Sequence, residues 1–262
     1  MEIDNRLEKY DPSRYTVYQM LDYTKNIQKI KLIQKFSEDI YLFRTKPFVN
    51  TLYNHANVMK KSLLERELVE IKNFFGKDTF RIKIPENEKL KEFLFYQGLK
   101  FEDVGSIMVN ENIHKKEHNY SLVENLEIFP VNNKKTLEDY KSIFSEAFDC
   151  SLEDTNKKFG FLDKIILDSK NNHMNAFVLY ENNTPVSTGA YYAFDNFSIE
   201  NIGTRKAFRG KGYAYNIMNH LLKEAQKLKY NQACLVASEA GSRVYKKVGF
   251  KILTKTNTFT PN

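Results

Sequence analysis

The chain has no tryptophan, two cysteines, six prolines and ten glycines among its 262 residues, and each shortage removes an interpretation. Two cysteines, Cys150 and Cys234, permit at most one disulfide, and Cys234 lies in the apolar run ACLVA, where a small core residue is the simpler reading. Both are expected to be reduced thiols. The five histidines, His55, His114, His118, His173 and His220, form no ligand set with cysteine or carboxylate at a metal-binding spacing, so no metal is expected. No apolar run approaches the roughly 20 residues that cross a bilayer. The opening stretch MEIDNRLEKYDPSR is charged and unlike a signal peptide. The sequence therefore reads as a cytoplasmic chain with no membrane partner. What it has in quantity is core material: 20 phenylalanines, 16 tyrosines and 42% hydrophobic residues, enough for one large or two small domains.

Charge is the second guide. The net charge of +7 would fit a nucleic-acid partner, but it is concentrated: residues 201–262 hold 12 basic and 2 acidic side chains, whereas residues 131–200 hold 7 and 11. A compact anionic group accounts for such a local excess as well as a nucleic-acid backbone does. Single-stranded nucleic acid would also need an exposed aromatic platform beside the charge, and most aromatics here fall at apolar-face or strand positions. No nucleic-acid partner is expected.

Along the chain, residues 111–136 (ENIHKKEHNYSLVENLEIFPVNNKKT) interrupt apolar periodicity and suggest a boundary between a first domain, 1–125, and a second, 131–262. In the second, Thr136 and Asp139 give a capping-box-like start to a helix carrying Leu137, Tyr140, Phe144, Ala147 and Phe148, and a further helix is expected over 157–169, burying Phe161, Leu162, Ile165 and Ile166. Strands are predicted at 175–180, 186–194 and 197–204, a long amphipathic helix at 211–229, a buried strand at 232–237, a helix capped by Ser238 at 239–247, and a last strand at 250–259. This order describes an α/β domain around a largely antiparallel sheet. The first half offers a helix with Met59, Leu63, Leu64, Leu68, Ile71 and Phe75 on its apolar side, then TFRIKI at 79–84, a short helix and YQGLKFEDVGSIMV at 96–109. Aligning Gly98 with Gly249 sets strand, short helix, glycine and strand in the same order in both halves, a degenerate internal repeat.

The most informative segment is FRGKGYAYNIM at 208–218. Two of the ten glycines sit among basic residues where the long helix begins, and glycine inside a helix is about 1 kcal/mol less favourable than alanine. Backbone freedom or close approach by another molecule explains them. Consecutive N–H groups at a helix start, with the positive end of the dipole, can hold a diphosphate, and Arg209, Lys211, Arg205 and Lys206 add charge nearby. A tight turn with basic residues facing water is the other reading.

Arg209-Gly210-Lys211-Gly212-Tyr213-Ala214, preceded by SIENIGT and followed by CLVAS and YKKVGF, resembles the GNAT superfamily of acyl-CoA-dependent N-acetyltransferases over about residues 131–262. The resemblance implies tandem GNAT-like domains with central, largely antiparallel mixed sheets flanked by helices, the first degenerate or accessory and the second catalytic. It implies acetyl-CoA, or another short acyl-CoA, as cofactor. Backbone amides of Arg209, Gly210, Lys211, Gly212, Tyr213 and Ala214 would hold its pyrophosphate, and its pantetheine arm would run beside Ile202, Gly203 and Thr204. Tyr245 resembles the tyrosine that protonates the departing sulfur, with an aromatic helix anchor as its structural alternative. Glu200 stands where a family glutamate acts on the attacking amine, and Tyr191, Tyr192 and Asp195 are candidate substrate contacts. The partner implied is a small-molecule primary amine, with a peptide or protein amine as the nearest variant, and a weak CoA-binding sensor as the alternative function. Oligomeric state is not legible. Two features depart from the family: few residues follow Phe250, so the first domain is expected to complete or cover the sheet edge, and the first half has no equivalent of RGKGYA. At the position aligned with Tyr245 it carries Leu94.

Overall fold

The computed structural model describes residues 32–37, 39–44, 54–115, 125–159, 163–167, 173–193 and 196–261. By contacts the chain divides into two compact units, residues 1–107 with 252–262, and residues 108–251. The division differs from the expected break. Within 111–136 the segment Leu126–Pro130 is a strand rather than linker, and the last strand of the chain, Lys251–Pro261, hydrogen-bonds to a strand of the first unit.

The first unit runs β1 (Leu32–Ser37), β2 (Ile40–Arg44), β3 (His55–Val58), α1 (Glu65–Phe75), β4 (Arg81–Pro85), α2 (Glu88–Tyr96) and β5 (Leu99–Asn110), and takes in β11 (Lys251–Pro261). Its strand order is β1-β2-β3-β4-β11-β5. β1–β2, β2–β3 and β4–β11 are antiparallel, whereas β3–β4 is parallel. Leu68, Ile71 and Phe75 of α1 and Leu90 and Leu94 of α2 cover Ile82, Ile84 and Phe259 in one core. Full burial of such side chains contributes about 1.5–3 kcal/mol each. The helix begins at Glu65, so Met59, Leu63 and Leu64 precede it: the Glu67 carboxylate accepts the Leu64 N–H at 2.8 Å and fixes the start there. β3 escaped sequence reading because all four of its residues are buried and no alternation marks it.

The second unit continues with β6 (Leu126–Pro130), α3 (Lys134–Ala147), α4 (Leu152–Phe159), α5 (Asp163–Ile166), β7 (Met174–Glu181), β8 (Thr184–Ala193) and β9 (Phe197–Thr204), then a 3-10 turn at Lys206–Phe208, α6 (Tyr213–Lys227), β10 (Ala233–Ala237) and α7 (Glu239–Lys247). Its strand order is β5-β10-β9-β8-β7-β6, with β5 divided between the units after Ile107. Neighbours from β6 to β9 are antiparallel, and β9–β10 is parallel. The fold is therefore α/β with a mixed, mainly antiparallel sheet flanked by helices. Asn133 caps α3 by accepting the Thr136 N–H at 3.0 Å, and Thr136 returns the contact; the start lies three residues before the expected Thr136–Asp139 box. The single helix expected over 157–169 is instead α4 and α5, with Phe161 and Leu162 outside the described residues.

Two layers cover this sheet. Ile217, Leu221 and Leu222 of α6 pack with Phe177, Leu179, Tyr191, Phe197 and Ile199 on one face. Gly189 admits α6, since a Cβ there would lie 2.5 Å from Ile217 Cγ2. On the other face α3 packs on β8 and β9. The chain order β1-β2-β3-α1-β4-α2-β5 recurs as β7-β8-β9-α6-β10-α7-β11, with Gly98 at φ +76° and Gly249 at φ +98° ending the two short helices. Among the described residues no helix is long and apolar enough to cross a membrane.

Candidate active site

The site begins with an interruption of the sheet. β9 has eight residues, but only Phe197 and Ser198 register with β10, opposite Ala233 and Cys234. From Ile199 to Thr204 the strand runs on without β10, which leaves backbone donors and acceptors along that edge. On its other side β9 slips against β8: Ala190 opposes Glu200 and Thr188 opposes Gly203, one residue more on β9 than on β8. The bulge contains Asn201 at φ +55°, a conformation asparagine tolerates better than most residues.

At the end of β9 lies the glycine segment. Gly210 has φ +82° and Gly212 φ +85°, and a Cβ built at either meets no atom within 4 Å. Gly212 is the N-cap of α6, and no side chain caps the helix. Conformation alone therefore calls for glycine, and the space a side chain would fill is open to another molecule. The N–H groups of the first turn, from Tyr213 and Ala214 onward, have no intrahelical acceptors. They form an anion-receptive helix start.

The neighbouring cations are arranged differently from expectation. Arg205 donates to the Glu146 carboxylate at 2.6 Å, Ser142 Oγ at 3.0 Å and the Pro185 carbonyl at 2.7 Å, while the Lys206 N–H donates to Glu146 at 2.8 Å. The Lys206 ammonium pairs with Asp149. Arg209 donates to the Ala147 carbonyl at 3.0 Å and the Thr204 carbonyl at 3.3 Å. These side chains tie the loop to the last turn of α3 and its exit. The Arg205 partnership holds the Glu146 carboxyl below its usual range. Lys211 is exposed, 5.2 Å from the Phe208 ring. The Tyr213 side chain is buried, its hydroxyl donating to Glu181, and burial followed by that carboxylate pushes the phenol up to about 12. Only its backbone is available to a ligand.

Gly203 and its neighbours also have packing roles. A Cβ at Gly203 would lie 2.9 Å from Ala147 Cβ and 3.1 Å from Phe148 Cε2, so the missing side chain seats the end of α3. Ile202 packs against the core, and Thr204 Oγ1 lies 2.9 Å from Ser187 Oγ.

Three polar side chains around the bulge are related electrostatically. Tyr245 on α7 is 8% exposed, and its ring lies back over Gly241, where a Cβ would come 2.9 Å from Tyr245 Cε2. Burial, and then the charge of Glu200, push its phenol well above the ordinary tyrosine range. The structure thus brings Glu200 and Tyr245 within each other's field. Glu200 is half-buried, and Ser198 Oγ donates to it at 3.4 Å. The third is Tyr140 of α3, which helical periodicity identified only as a core residue; its phenol is pushed up by burial, against the opposing hydrogen bond of the Asn201 side chain, with the Glu200 charge adding to the rise.

The candidate substrate contacts divide. Tyr191 belongs to the core on the α6 side, its ring 4.8 Å from that of Phe197 and its hydroxyl accepting from Asn175 at 2.8 Å. It does not share a face with Glu200. Tyr192 is buried opposite Ser198, and strand alternation sets it on the Glu200 face. Asp195 lies outside the described residues. Gly249, at φ +98°, brings Asn110 close: the Asn110 amide donates to the Val248 carbonyl at 3.0 Å and closes the end of α7 below Tyr245.

A parallel strand pair that parts beneath an uncapped, glycine-led helix, with a carboxylate on one strand and a phenol on the following helix, defines an α/β domain with an anion-receptive helix start beside an open strand edge. Residues 134–250 match the model of the acetyltransferase (GNAT) family, and this part of the chain is a GNAT-family acetyltransferase domain. Among solved structures, the chain is similar to a GCN5-related N-acetyltransferase from Kribbella flavida, at 13% identity and TM-score 0.69 over 95% of each chain. It is similar to a conserved protein of unknown function from Staphylococcus epidermidis ATCC 12228, at 14% identity and TM-score 0.68 over 91% of this chain and 96% of that one. A tandem GNAT protein from the clavulanic acid biosynthesis pathway matches at 8% identity and TM-score 0.56, over 84% of this chain and 77% of that one. At these identities the likeness is one of fold. Among curated proteins no sequence matches.

Proposed function

We propose that the chain transfers an acetyl group, or another short acyl group, from acyl-CoA to a small primary amine by direct attack. The observation that carries this reading is the pairing of an open β9 edge with the glycine-led start of α6. The cradle fits a CoA-derived donor: an extended amide-bearing arm can pair with Ile199–Thr204, and a diphosphate can sit on the amides of Gly210–Ala214, where no side chain intrudes. When bound, that donor supplies the activated acyl carbonyl.

The chain's own residues manage the protons. An alkyl amine is mostly an ammonium at neutral pH, and the Glu200 carboxylate both attracts it and takes its proton, directly or through water. Tyr245, kept neutral by its buried setting, still holds its proton as negative charge develops on the departing sulfur and shares that proton with it; the proton that Glu200 takes from the amine keeps the site's balance as the thiol leaves protonated. A CoA-binding sensor would call for a solvent-facing Glu200 and a displaced Tyr245; Tyr245 is instead buried and Glu200 half-buried. The first unit, repeating the element order without a glycine pair, is a degenerate copy with no donor site of its own, and the two halves form a tandem GNAT arrangement.

Calorimetric titration of acetyl-CoA into the full chain, with Gly210→Trp as control, tests the reading. Binding in the wild type that is lost in the variant is expected. A folded wild type that takes up no acetyl-CoA would remove the acyltransferase assignment.

A further inference from the structure

The glycine segment holds its shape without side chains of its own. Gly210 and Gly212 both lie at positive φ, no side chain caps α6, and glycine leaves the backbone more freedom than any other residue. A cradle that keeps one geometry before its ligand arrives therefore needs anchors at both ends. Upstream, Arg205 and Arg209 tie the chain to α3 by donating to Glu146 and to the Ala147 carbonyl. Downstream, the anchor is Tyr213, the first residue of α6: it is buried, its ring lies 6.2 Å from that of Phe208 in the 3-10 turn, and its hydroxyl donates to the Glu181 carboxylate. Glu181 is itself fixed. It ends β7 opposite Leu126 of β6 and Thr184 of β8, and Asn182 and Asn183, at φ +48° and +61°, turn the chain directly after it as a two-residue hairpin does. A phenylalanine at 213 would fill the same core space, but apolar contact has no direction, whereas a hydrogen bond to a charged acceptor has one and is roughly twice as strong as a neutral one.

We propose that Tyr213 and Glu181 are positioning residues for the donor site: their hydrogen bond pins the first turn of α6 to the β7–β8 hairpin and keeps the amides of Gly210–Ala214 aimed at the diphosphate. Neither side chain needs to touch the donor. Tyr213 packs into the core, and both residues act through the backbone they hold. A carboxylate one side chain away from the helix start opposes an incoming diphosphate electrostatically, so its charge does not recommend it there. Its use is as a fixed acceptor.

The purpose of this contact rests on the acyltransferase reading, but its first readout does not. In the ligand-free chain the Asn216 N–H closes the first turn of α6 on the Gly212 carbonyl at 3.1 Å, and its hydrogen exchange, followed by NMR, reports how firmly that turn is held. Exchange at Asn216 is expected to quicken by about tenfold in Tyr213→Phe, while Leu221, in the middle of the helix, keeps its rate. Glu181→Gln, whose amide oxygen still accepts, should stay within about twofold of the wild type. Glu181→Ala should match Tyr213→Phe, so the contact is read from either side if one variant fails to fold. Calorimetry with CoA is then expected to show affinity weaker by roughly 5- to 30-fold in Tyr213→Phe and little changed in Glu181→Gln. An unmoved Asn216 rate in Tyr213→Phe and Glu181→Ala overturns the proposal. So does an equal rise at Asn216 and Leu221, which makes the hydroxyl a group of the general core, and so does a loosened turn with CoA affinity unchanged. Failure of the wild type to bind CoA would instead strike the acyltransferase reading and leave the exchange result standing.

Discussion

The strand pairs β3–β4 and β9–β10 are both parallel and both followed in sequence by a helix, yet they are built for different ends. β3 has four residues, and three of them, His55, Ala56 and Asn57, register with β4. β9 has eight, and two register with β10. The helix after β3 starts from Leu64 in extended geometry, with the Glu67 carboxylate at its N-terminus and Lys60 paired to that carboxylate at 2.6 Å. The helix after β9 starts from Gly212 in the left-handed region with no side chain upon it. In one unit the chain's own anion occupies the positive end of the helix, and the strand pair is closed. In the other both are left for an outside ligand. The same contrast reaches the following helices, where Leu94 is buried in the core of one unit and Tyr245 faces the Glu200 field in the other.

Substitutions in matched places can break this comparison. The largest effect is expected from Tyr245→Phe, which should lower kcat by roughly 10²- to 10⁴-fold, the range of general acid catalysis, with acetyl-CoA affinity kept. Leu94→Met at the corresponding place should leave turnover unchanged. Equal losses in both would mean that Tyr245 acts through packing. Next comes Gly212→Val. A β-branched residue at φ +85° is strained by about 1–3 kcal/mol, and acetyl-CoA affinity should fall by roughly 5- to 150-fold in calorimetry as the helix start shifts. Leu64→Val, at the start of α1, should not alter it.

A smaller effect, on stability, is expected from Gly203→Val. Its Cβ would fall 2.9 Å from Ala147, and overpacking of this kind typically removes about 1–3 kcal/mol, readable as a lower urea midpoint. No change there would mean that α3 does not press on β9. The smallest lies at high pH. Tyr191 and Tyr213 are pushed up to about 12 in the folded chain, each chiefly by burial, against an ordinary value near 10. The unfolded chain then loses protons first, so stability is fully present below about pH 10 and declines from there through about pH 12. Tyr213→Phe should soften that decline in thermal melts, and an identical pH profile in the variant would remove Tyr213 as a contributor.

Most of the second unit was legible because its signals are local. The periodicity of Ile217, Met218, Leu221, Leu222 and Ala225 placed α6 within two residues of its limits, and Ser238 caps α7 as read, accepting the Gly241 N–H at 3.2 Å. The glycine pair announced positive φ angles, which the backbone has. Other features were not legible for equally physical reasons. Tyr140 has the spacing of any buried helix residue, and only the Asn201 and Thr188 side chains of the strands beneath α3 distinguish it. Arg205, Lys206 and Arg209 look like phosphate ligands in a list of charges, but Glu146, Asp149 and the carbonyls at the end of α3, some sixty positions earlier, engage them. Tyr191 and Tyr192 differ by one residue, and a strand's period of two sends them to opposite faces.

The sequence by itself determined the starts of α6 and α7, the mainly antiparallel α/β character and the resemblance that the family match to residues 134–250 bears out, because caps, glycines and apolar periods act over a few residues. Only the tertiary structure decided which edge of β9 stays open, which cations remain near the helix start, and which phenols feel the charge of Glu200. Those outcomes depend on strand register and on partners distant in the chain, and neither is written in any short stretch of residues.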